Sequence, residues 1–76
     1  MRVSTKKVNE VIKLLNDEKT TYKLIRIEHP TGTSYWYTYT IGKYVDERME
    51  YVEGTYNLSL KQIYDIAFKM LHKKYI

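Results

Sequence analysis

Tyr35-Trp36-Tyr37-Thr38-Tyr39 puts four aromatic rings into five consecutive positions. Residues of this kind recognise partners by stacking and by contact area rather than by bond-making. The run from Thr33 to Ile41 reads as one β-strand, and side chains of a strand alternate between its two faces. Tyr35, Tyr37, Tyr39 and Ile41 therefore share one face, while Ser34, Trp36, Thr38 and Thr40 share the other. One face packs a core and the other meets water or a partner. Core packing is the first expectation for Tyr35, Tyr37 and Tyr39, and Trp36 is divided between core and contact surface.

Bond-making chemistry has little to stand on. His29 adjoins a proline and His72 falls on the polar side of a helical pattern, so both read as solvated surface histidines. There is no cysteine, and Ser4, Ser34 and Ser59 lie in no nucleophile pattern. Asp46, Glu47, Glu50 and Glu53 could offer oxygens to a hard cation. On a strand, however, Asp46 and Glu50 point away from Glu47 and Glu53, and the group reads as a charged, blunted edge. The three glycines are isolated, so no loop cradles a phosphate. No enzyme, metal or cofactor is expected.

Two binding classes remain. Nine tyrosines in 76 residues favour protein association, because tyrosine and tryptophan supply interface area with a polar handle. The expected contact residues are Tyr35, Trp36, Tyr37, Thr38 and Tyr39, with Tyr64 and Phe68 from the last helix. The alternative is nucleic acid. Aromatics on an open sheet stack bases at about 1–3 kcal/mol each, and Lys23, Arg26 and Lys43 could meet phosphates around Trp36. The net charge of +4 tilts only mildly that way. No ribonucleoprotein-type β-α-β-β-α-β order and no helix-turn-helix is present.

The elements that must position these residues follow from periodicity. Val8, Val11, Ile12 and Leu15 form one apolar stripe on a helix from Thr5 to Asn16, capped by Ser4 or Thr5. Leu14 falls off that stripe. A strand is expected from Thr20 to His29, a turn over His29-Pro30-Thr31-Gly32, then the aromatic strand. Gly42-Lys43 reads as a second turn and residues 44–53 as a third strand. After a short connection over Gly54–Leu58, Ser59-Leu60-Lys61-Gln62 has the pattern of a capping box, with Leu58 and Ile63 as a hydrophobic staple. The last helix runs from Leu60 to about Tyr75. Its apolar residues, from Leu60 and Ile63 through Phe68 to Tyr75, span roughly 200° of the wheel at 100° per residue. So broad an arc must touch more than one neighbour.

One domain over residues 1–76 follows, an α+β fold in the order α-β-β-β-α. Its three strands form an antiparallel meander, and both helices pack on one face. No apolar run approaches the roughly 20 residues that span a bilayer. With no cysteine and no signal-peptide pattern, the cytoplasm is the expected compartment. A core this small gains from self-association, so a homodimer is among the expected partners alongside a different protein. Small tyrosine- and lysine-rich chains of this composition are common among accessory proteins of phages and other mobile elements; no family motif is matched.

Overall fold

The computed structural model describes residues 3–75 and has the expected order. Helix α1 (Thr5–Leu14) leads into strands β1 (Thr20–Thr31), β2 (Ser34–Val45) and β3 (Arg48–Tyr51), and helix α2 (Leu60–Lys74) closes the chain. The strands form an open antiparallel sheet in the order β1-β2-β3. Ser4 caps α1 by accepting from the Lys7 amide. Ser59 and Gln62 exchange both bonds of the capping box that starts α2.

Both helices lie against one sheet face. Val8, Val11, Ile12 and Leu15 from the α1 segment meet Ile63 and Ala67 of α2 over Ile41 of β2. Tyr22, Leu24 and Tyr39 pack beside them from the same sheet face. Helix α2 touches α1 on one flank and β2 beneath, which uses much of its broad apolar arc and leaves Phe68 and Tyr75 exposed. Leu14 points to solvent, as its place off the stripe requires. The helices are also tied at their ends. The Lys74 ammonium donates to the carbonyls of Leu15 (2.9 Å) and Asn16 (3.2 Å), capping the end of α1 with positive charge. The Asp17 carboxylate accepts from the amides of Lys19 and Thr20, which launches β1. Those two amide bonds hold its pKa below the ordinary aspartate value.

The strand ends differ from the sequence expectation in three places. β1 continues through His29 and Pro30 to Thr31. Pro30 sits on the sheet edge opposite Tyr35, at a position whose N–H would point outward, so its missing donor costs the ladder nothing. The reversal occurs at Gly32-Thr33, with Gly32 at φ +62°, the residue that a two-residue type II′ loop places first. β2 passes straight through Gly42-Lys43. Gly42 serves close packing instead of a turn: a Cβ there would lie 2.5 Å from Cδ1 of Ile25, which crosses it from β1. The second reversal is Asp46-Glu47, with both residues at positive φ (49° and 66°) in the manner of a type I′ loop. β3 then ends at Tyr51 rather than at residue 53.

Beyond Tyr51 the chain still follows the edge of β2. The Val52 amide donates to the Ile41 carbonyl at 2.8 Å. Thr55 turns its hydroxyl inward and accepts from the Ile41 amide, so the hydroxyl stands in for a strand partner. It also donates to the Val52 carbonyl and lies 3.2 Å from the Thr40 hydroxyl. Leu58 exchanges both main-chain bonds with Tyr39, at 2.8 and 2.9 Å. There the cover stops. The β1–β2 hairpin continues past it as an arm, and the chain measures 44 × 33 × 20 Å with a radius of gyration of 13.1 Å. A compact domain of this length would have about 11.4 Å.

Candidate binding surface

The arm carries the aromatic run, and the cover decides which of its residues are buried. Tyr39 packs against the core and Thr38 is buried, whereas Tyr37, Trp36 and Tyr35 are 43%, 51% and 63% exposed. Core packing was expected for Tyr35 and Tyr37; the structure places both outside the core, because neither helix reaches so far along β2. Their rings stand on the helix-side face but beyond the helices.

Trp36 stands on the opposite face and is organised by its neighbours. His29 lies directly across from it in the β1–β2 register, and the two rings stack at 4.1 Å with 16° between planes. The His29 Nε2 also meets the Thr38 hydroxyl at 2.8 Å, and Thr38 donates to Oδ1 of Asn57 at 3.2 Å. His29 is thus half-buried in a network and is not the solvated histidine expected. Among the described residues no carboxylate bonds to it, and no three potential metal ligands converge anywhere. The acidic residues Asp46, Glu47, Glu50 and Glu53 accordingly form no cation site among the described residues. The exposed face continues from Trp36 past Ile27 to Tyr56 and Tyr51, which meet edge to face at 6.0 Å.

The basic residues do not gather around Trp36. Lys23 shares its face and rests its ammonium 5.3 Å from the Tyr44 ring centre. Arg26 and Lys43 lie on the helix-side face, with the Arg26 guanidinium 4.6 Å from the Tyr37 ring centre and 3.9 Å from Glu28. On α2, Tyr64 packs against the core and meets the exposed Phe68 edge to face at 4.8 Å. Of the expected contact residues, Tyr35, Trp36 and Tyr37 are therefore exposed together on the arm, the two tyrosines on one face and Trp36 on the other. Tyr39 and Thr38 anchor its base, and Tyr64 with Phe68 lies on α2.

The sequence missed His29, Tyr56 and Asn57 as parts of this surface. A glycine-led two-residue loop at Gly32-Thr33 would have set His29 opposite Trp36; reading Pro30 as the end of the strand hid that register. Compared with protein-family models, curated proteins and solved structures, the chain matches none, and its function is argued from its own residues.

Proposed function

We propose that this chain is a small, non-enzymatic protein-binding domain, of the accessory type common in phages and mobile elements, working in the cytoplasm. It grips its protein partner or another copy of itself with the aromatic arm. The observation that carries this reading is the exposure of three consecutive aromatics, Tyr35, Trp36 and Tyr37, on both faces of a hairpin that its own core leaves uncovered. Rigid amphipathic rings held on a paired strand lose little entropy on contact, the property that makes tyrosine and tryptophan frequent interface anchors. The α2 residue Phe68 is a second exposed ring for the same kind of contact.

Nucleic-acid binding has less support. Its residue set falls on both faces of the sheet, and Arg26 is already engaged by Tyr37 and Glu28. A single titration separates the two classes. Trp36 is the sole tryptophan, so its fluorescence reports the arm. Protein binding predicts no change on adding a mixed-sequence oligonucleotide at low salt. It also predicts capture of a partner, or of tagged wild-type chain, by wild type and not by Trp36→Ala. Quenching that salt reverses would move the reading to nucleic acid.

A further inference from the structure

Polarity on the three strands is inverted. An antiparallel sheet covered on one face turns apolar side chains to the cover and polar ones to water. In this sheet Arg26, Glu28, Lys43, Arg48 and Glu50 all project from the helix-side face. Lys23 is the one charged strand residue on the other face, and its ammonium rests by the Tyr44 ring. That uncovered face presents Ile25, Ile27, Trp36, Tyr44, Met49 and Tyr51 instead. Trp36, Met49 and Tyr51 are exposed, and the other three are half-buried. Tyr56 and Asn57 border it, and a hollow of about 190 Å³ lies between them and Ile27, Thr40 and Tyr51. A contiguous apolar face of this kind marks an interaction site.

We infer that this face packs against the same face of a second copy, sheet on sheet, with both helix layers outward. The inference rests on the protein-binding reading and names the partner for the Trp36 side of the arm. Tyr35 and Tyr37, on the helix-side face, stay free for a different protein. Charge selects the copy as occupant. Helix α1 carries three lysines against Glu10 and α2 carries four against Asp65, together more than the whole net charge of +4. Copies that met through their helices would bring like charges together, whereas copies that meet through their sheets hold them apart. A single lysine on the face is too little for a phosphate backbone or anionic headgroups, whose binding needs several cations. Packed sheets stand about 10 Å apart, a gap filled by the side chains of their inner faces. Aromatic residues and methionine are the types that interface cores favour. The contact uses one patch on both chains, so it closes as a two-fold dimer.

Surface area and core size support a partner of this scale. The chain exposes 5954 Å². A compact monomer of 9.2 kDa exposes about 4,900 Å². The surplus of about 1,000 Å² is the scale of one side of a standard interface, about 800 Å². The core cluster has only seven buried apolar residues, all on the helix side of the sheet. Oligomerisation is one of the ways in which so small a core is supplemented.

The test is face-specific. Sedimentation at chain concentrations up to about 1 mM is expected to show a dimer. Trp36 is the sole tryptophan and reports the face directly. Its emission should shift to the blue as the dimer forms, because the indole leaves water, and should return on dilution. Met49→Glu would place an unpaired carboxylate inside the contact and should raise the dissociation constant at least about tenfold. Met49 is exposed in the single chain, so the variant should fold. Leu14→Glu makes the same change at an exposed apolar residue of α1 and should stay within a few-fold of wild type. The emission measurement uses the wild type and holds even if Met49→Glu does not fold. A wild-type monomer throughout would overturn the pairing. So would a dimer whose Trp36 emission does not move, or one that Met49→Glu weakens no more than Leu14→Glu does. If the wild type is monomeric but still captures a different protein through Trp36, the binding reading stands and only the self-pairing falls. If it captures nothing, both fall.

Discussion

Strand β2 is one strand with two fates. From Thr38 to Val45 its second edge is occupied, and Tyr39 and Ile41 are covered by the helices. From Ser34 to Tyr37 it has β1 alone beside it. Residue type does not draw this line. Tyr37 and Tyr39 are the same residue on the same face, yet Tyr39 joins the core and Tyr37 stands in solvent. What separates them is reach: α2 and the 52–58 segment extend as far as Tyr39 and Thr38 and no further. Burial here is a property of what arrives at the strand, and the uncovered half is what remains for a partner.

The contrast breaks or stands first on stability. Ile41 is fully buried in the core cluster that holds residues of both helices. Ile41→Ala should cost about 2–5 kcal/mol through lost transfer energy and the cavity left behind. In a domain with a single small core that approaches the whole margin, so urea or thermal unfolding should show a largely unfolded chain. If Ile41→Ala melts near wild type, the covered half is not the core described here.

The next largest effect lies at the seam between the halves. Thr55 is fully buried, and its hydroxyl serves the Ile41 amide, the Val52 carbonyl and the Thr40 hydroxyl. Thr55→Val keeps the shape and strands buried polar partners, which should cost about 1–3 kcal/mol. The same substitution at Thr31, in the arm, should change little. Amide exchange gives the finer reading: the Ile41 amide should lose protection in Thr55→Val before the β1–β2 ladder does.

Much of the covered half was legible from the sequence. The α1 stripe, the capping box at Ser59 and the α+β order all rest on local spacing, which survives into the fold. The turns were legible only in part: Gly32 takes the positive φ expected of it, but the strand runs on to Thr31 and the second turn lies elsewhere. Glycine reads as punctuation at Gly42, yet Gly42 is a strand residue kept bare so that Ile25 can cross it, while the second turn, Asp46-Glu47, contains no glycine. The arm was legible as an aromatic strand, but its exposure was not. Exposure depends on how far the helices reach, and no periodicity within β2 encodes that. The unglycined turn yields a prediction of its own. Glu47 at φ +66° is held in a region costing a non-glycine residue roughly 1–2 kcal/mol. Glu47→Gly relieves this but loosens the unfolded chain, so a net gain of about 0.5–1 kcal/mol is expected in denaturant melts. A loss would mean that the Glu47 side chain has a role its exposure does not suggest.

The smallest effect is expected in the arm, and its smallness is the point. Tyr35 is the most exposed residue of the aromatic run, and among the described residues its side chain makes no hydrogen bond. Tyr35→Thr keeps a good strand former and the main-chain donor while deleting the ring. At dilute chain concentration its unfolding free energy should lie within about 0.5 kcal/mol of wild type, as for other substitutions of exposed side chains. Concentration then separates the halves. A ring that serves only a partner stabilises the folded chain by mass action, so the wild-type melting temperature should climb with the partner's concentration and the variant's should climb less. Ile41→Ala should instead lower the melting temperature at every concentration. A Tyr35→Thr deficit that is already large when dilute would make the arm part of the fold and erase the division drawn along β2.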